Sequence, residues 1–128
     1  MTKTAWAHLP NAKHIDRVLA SLKAHPKKWK AARGGAWSAV YIEARVEAWN
    51  AAWNAAQTAA RVEARGAARG AARDTAWDAI TALIALVAWD DCAYMLELPE
   101  DALKLLRAVG NEQALLLFGA ANILKETS

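Results

Sequence analysis

The sequence predicts an all-α protein, and three observations predict it. Alanine recurs on a four-residue beat from Gly35 to Asp90, β-branched residues and strict apolar/polar alternation are sparse, and Pro, Gly and Asn punctuate the rest at helix-length intervals. The beat reads GAWS, AVYI, EARV, EAWN, AAWN, AAQT, AARV, EARG, AARG, AARD, TAWD. Its second place is Ala or, once, Val40, and its third is mostly Trp or Arg. Alanine has the highest helix propensity and loses no side-chain entropy on folding, so a chain this rich in it defaults to helix.

A period of four exceeds the 3.6 residues of a helical turn, so each tetrad advances about 40° around the axis. That drift is opposite to a heptad's, which argues against a left-handed coiled coil. The alanine columns let a second helix approach closely, with the Trp side chains as wide anchors beside the seam. The stretch therefore predicts a long Ala-rich central helix or a helical hairpin. Gly66 and Gly70 each cost about 1 kcal/mol against Ala inside a helix. Either the helix runs through them, or the chain turns near Ala68 and brings Arg61 towards Asp74 or Asp78 and Arg45 towards Asp90 and Asp91.

At 128 residues the chain suits a single domain, 1–128. Its formal charge of +3 is unevenly spread: residues 1–78 carry 13 Lys/Arg against 6 Asp/Glu, residues 79–128 only 3 against 7. A basic front and an acidic back suit internal pairing, head-to-tail association or an anionic partner. The single Cys92 excludes an internal disulfide framework and fits a reducing compartment. The N-terminus has no signal-peptide core, and the apolar run from Ala79 to Trp89 is far shorter than the ~20 residues that span a bilayer. The expectation is a cytoplasmic protein without a membrane partner.

In chain order, residues 1–10 form a loose arm and 11–33 two short basic helices. Asn11 is the expected N-cap of the first, with Ile15, Val18, Leu19 and Leu22 on one face, and His25-Pro26 its end. The second helix stops at Gly34-Gly35. Residues 36–97 are the tetrad-repeat spine, and 99–126 a C-terminal helical pair. Pro99 opens the first of that pair, Leu103, Leu105, Leu106 and Val109 form its buried face, Gly110 stops it, and Asn111 caps the next.

Two clusters suit partner binding. Lys27, Lys28, Trp29, Lys30 and Arg33 join cations to an aromatic ring, which suits phosphates and a stacked base or, more simply, a solvated linker whose Trp29 docks on the core. Arg61, Arg65, Arg69 and Arg73 recur every four residues, and the acids beside Arg73, Asp74 and Asp78, sit at less suitable offsets for pairing on a helix. The row meets the acidic C-terminal half, an acidic protein, a phosphate backbone or water. Arg45 and Arg73 precede Trp49 and Trp77 by four residues, a spacing that suits cation–π contact.

Catalytic motifs are missing: there is no HExxH, GxSxG, CxxC or Gly-rich phosphate loop. Neighbouring Asp90, Asp91 and Cys92 diverge by about 100° per residue on a helix, so no metal site or cofactor is expected. The expectation is a protein that is not an enzyme.

LPNAKHIDRVLASLKAHPKKWKAA, the tetrads AWNAAWNAA and AARGAARDTAWDAI, and TALIALVAWDDCAYMLELPEDALKLLRAVGNEQALLL together resemble small Ala/Trp-rich proteins of bacteriophages and prophages with AWxAAWxAAR repeats. WDDCAYMLELP is the more specific part. The resemblance carries no catalytic residues; it implies a virion or assembly component, or an early protein that disables a host system. The resulting expectation is a non-enzymatic binder of a host protein, a phage protein or its own copies, with nucleic acid as the alternative partner.

Overall fold

A computed structural model describes residues 6–31, 39–57, 59–72 and 77–127. The described residues are helical with no strand: α1 Ala12–Ala24, α2 Pro26–Ala31, α3 Ala39–Ala55, α4 Ala59–Ala72, α5 Trp77–Ala88, a 3₁₀ segment Ala93–Glu97, α6 Glu100–Ala108 and α7 Glu112–Thr127.

Helix α5 is the hub. From 79 to 88 every residue is buried except the half-buried Ile80, because its sequence is apolar all round. It packs against α1, α3, α4 and α7, and α7 in turn carries α3, α6 and the 3₁₀ segment. Leu83, Ile84, Leu86 and Val87 of α5 and Leu116, Leu117, Phe118, Ile123 and Leu124 of α7 supply the bulk of this aliphatic core.

The tetrad stretch is divided into three helices. Ala56 and Gln57 lie outside α3 and α4, so the stretch expected as one long helix or a hairpin turning near Ala68 breaks here instead. The physical reason is the drift of the beat: on one straight helix a four-residue column winds away from any fixed neighbour. Over short helices it does not wind far. The second-place alanines Ala48, Ala52 and Ala56, then Ala64 and Ala68, are all fully buried. Gly66 and Gly70 lie inside α4, so the chain runs through them and the turn near Ala68 does not occur.

Several ends follow local chemistry. His25 closes α1 by donating its backbone N–H to Ser21 O at 2.8 Å, with Pro26 opening α2. Gly110 adopts φ +80°, the left-handed geometry glycine adopts without a Cβ penalty. Its N–H bonds Arg107 O at 3.1 Å while the Asn111 N–H reaches Leu106 O at 2.9 Å, closing a Schellman turn. Asn111 Oδ1 then accepts the Ala114 N–H at 2.9 Å and caps α7.

Three expectations are corrected. Residues 6–10 are no loose arm: Trp6 and Leu9 are buried, and Trp6 Nε1 donates to Asp16 Oδ1 at 2.7 Å; residues 1–5 lie outside the described residues. Asn11 makes no side-chain cap on α1, because its amide is used elsewhere. On α6 only Leu103 is buried, with Leu106 packed at the core's edge; Leu105 and Val109 are 70% and 78% exposed. A nine-residue helix resting on one neighbour has room for a narrow buried stripe only.

Candidate functional site

Helices α3 and α4 both pack on α5, and side chains from the two meet in a rim of aromatic and cationic groups. Trp53 faces Arg65 and Trp49 faces Arg69, pairs equally far from the break after Gln57. The third place of the beat lies next to the buried second place, so alanine in the seam leaves bulk at the rim. The indoles of Trp49 and Trp53 stack with centroids 5.9 Å apart and planes inclined by 19°. The Arg65 guanidinium lies 3.4 Å over the Trp53 ring and donates from Nη1 to Trp53 O at 3.1 Å. Arg69 stands 5.3 Å from Trp53 and 5.7 Å from Trp49, within cation–π reach of both.

Burial separates these side chains. Arg65 is only 8% exposed, Trp49 and Trp53 are half-buried, and Arg69 is exposed. Burial, and then the neighbouring positive charge of Arg69, lower the pKa of Arg65 from its ordinary value. Among the described residues no carboxylate pairs with either guanidinium. The rim is thus a ladder of two rings and two cations without an internal counter-ion there.

Arg61, one turn earlier in the row, has a different task. Its Nη1 donates to Val87 O at 2.6 Å and Ala88 O at 3.2 Å, and its Nη2 pairs with Asp90. Asn11 Nδ2 donates to Leu86 O at 3.0 Å and Trp89 O at 2.7 Å, and the Cys92 thiol is shared between Ala85 O and Trp89 O at 3.5 and 3.4 Å. Helix ends leave their last carbonyls without intrahelical donors, and a buried end must find donors elsewhere. Two distant residues, Asn11 and Arg61, and the neighbouring Cys92 supply them here.

The basic cluster at α2 is divided too. Trp29 is fully buried and donates Nε1 to Ser21 Oγ at 3.1 Å, which in turn lies 3.2 Å from Thr127 Oγ1. Its ring belongs to the core and presents no face to a base. Lys27 and Lys28 are exposed, Lys28 lying 3.9 Å from Glu126. Arg33 and Arg73 lie outside the described residues, as do the Lys30 and Arg45 side chains. The within-helix cation–π pairs expected for Arg45 and Arg73 fall there too, whereas the observed pairs run between α3 and α4. Their signal in the sequence was the switch of the third place from Trp to Arg on either side of Gln57.

Cys92 is fully buried, and burial, followed by the charge of Asp91, pushes its thiol up to about 12. Such a thiol is a poor nucleophile. Among the described residues no three His, Cys, Asp or Glu side chains gather as metal ligands, and no helix is long and apolar enough to cross a membrane. Comparison with protein-family models, curated proteins and solved structures finds no match to the chain.

Proposed function

We propose that this is a non-enzymatic, cytoplasmic helical protein that acts by binding an acidic protein partner through the α3–α4 rim centred on Trp49, Trp53 and Arg69. One observation carries the reading: a half-exposed pair of stacked indoles with an exposed guanidinium across both. Trp and Arg are the side chains in which protein interfaces concentrate their binding energy. The repulsion between Arg65 and Arg69 is relieved by a carboxylate arriving from outside, and a guanidinium fork receives a carboxylate through two parallel bonds.

A protein fits better than a nucleic acid because the ring in the basic cluster and two cations of the Arg row are spent internally. Trp29 is in the core, and Arg61 and Arg65 bond backbone carbonyls. The resemblance to Ala/Trp-rich phage and prophage proteins suggests the setting, an accessory protein that inhibits a host defence system or joins an assembly.

The test is affinity capture from host lysate with the wild type and with Arg69→Glu, alongside titration with single-stranded and duplex oligonucleotides at low salt. The expected result is a partner retained by the wild type and lost by the variant, with no nucleic-acid binding that Arg69 controls. Salt-sensitive nucleic-acid binding that is lost in Lys27→Gln/Lys28→Gln and kept in Arg69→Glu would sink this reading.

A further inference from the structure

Helix α6 carries the two most exposed large hydrophobic side chains of the described residues, and its chemistry is the converse of the rim's. Leu105 and Val109, one helical turn apart, are 70% and 78% exposed, with exposed Ala108 beside them. Exposed Asp101 lies one turn before Leu105, and exposed Glu112 follows Val109. Residues 97–112 hold four acids against Lys104 and Arg107; Lys104 lies 3.4 Å from Glu100, and Arg107 sits 4.0 Å over the Phe118 ring. The ridge is apolar in the middle and acidic at both ends.

Single exposed aliphatics are ordinary on a protein surface. A pair in register, flanked by carboxylates, on a chain whose other half presents indoles under an unneutralised guanidinium, is a complementary set. We propose that the α6 ridge of one copy docks on the α3–α4 rim of a second copy, so that the chain associates head to tail. Leu105 and Val109 then cover the Trp49–Trp53 pair, and Asp101 or Glu112 supplies a carboxylate to Arg69, which has none among the described residues. This rests on the rim being a binding face, as proposed above. A symmetric ridge-to-ridge dimer would juxtapose acids with acids, which the heterologous contact avoids.

The test is average mass by sedimentation equilibrium across concentration, at about 0.05 M and about 0.5 M salt, either side of effective screening. The wild type rises above its 13.9 kDa monomer with concentration at low salt and returns towards it at high salt. Arg69→Glu and Leu105→Lys each weaken association at least ~tenfold, the effect of losing a central contact of more than about 1.4 kcal/mol. Both positions are exposed, and unchanged far-ultraviolet circular dichroism checks the fold. Mixing the two variants restores a one-to-one dimer that grows no further, since each contributes its one intact surface. A wild type monomeric throughout overturns the proposal, as does an Arg69→Glu protein that still associates, or a mixture that stays monomeric. Partner capture separates the two ideas: Leu105→Lys keeps an external partner even where self-association fails, whereas Arg69→Glu loses both.

Discussion

Helix α5 packs on α7, and α3 packs on both, but the two kinds of contact put their large side chains in opposite places. Between α5 and α7, Leu83, Ile84, Leu116 and Leu117 fill the space between the axes, and all are almost completely buried. Between α3 and its neighbours the seam is Ala48, Ala52 and Ala56, while Trp49 and Trp53 sit beside it, half in water. The first arrangement converts bulk into stability through buried apolar area. The second converts smallness into close backbone approach and moves the bulk to the rim, where it can meet another molecule. The chain thus separates what holds it together from what it offers outward.

The sharpest way to break that contrast is to remove bulk from the first region. Leu116→Ala is expected to destabilise by about 2–5 kcal/mol in urea unfolding, through lost transfer energy and the cavity left behind. A cost below the lower bound would mean the α5–α7 core collapses around the gap and is less rigid than its packing implies. Adding bulk to the second region is the converse. Ala52→Leu should cost about 1–3 kcal/mol, because Ala52 is fully buried and the larger side chain would have to spread the helices. A neutral result would show that the alanine seam is loose.

A third measurement probes the junction between the regions and is silent at neutral pH. An ordinary thiol ionises near pH 9.0, and Cys92 is raised to about 12. Between those values the folded chain keeps a proton that the unfolded chain has released. The stabilisation is therefore complete below about pH 9 and falls as pH rises towards 12. Wild type should lose stability more steeply over that window than Cys92→Ala, judged by the slope of unfolding free energy against pH. Equal slopes would mean that the thiol ionises without leaving its burial. The smallest effect is a gain. Gly66 lies in α4, is exposed, and a Cβ there would meet nothing within 4 Å. Gly66→Ala should raise stability by about 0.4–1 kcal/mol, read as a higher urea midpoint. A loss would show that the rim helix relies on a close approach at that position.

Much of the helical content was legible because it is written in local chemistry. His25-Pro26, Gly110 and Asn111 each act through their own backbone or through a neighbour three residues on, so residue type alone located those ends. The alanine column was legible as a seam for the same reason. What residue type did not show was where the rod folds. Gln57 is no turn former, and the break is favoured by α5, whose surface rewards two short alanine faces over one drifting column. Asn11 misled because an amide before a helix looks like a cap, while its real bonds lie 75 and 78 residues away. Leu105 and Val109 misled because helical spacing shows a face but not whether anything stands opposite it. At the rim, the members were visible as Trp and Arg, yet their pairing depended on the break.

Asn11 also sets a temporal condition on the molecule. Its amide waits for carbonyls at Leu86 and Trp89, and Arg61 waits for Val87 and Ala88. A nascent chain can wind its first helix early, but it cannot fasten that helix until residue 89 has left the ribosome. Any truncated product ending before that point should leave its leading third unmoored and open to proteases.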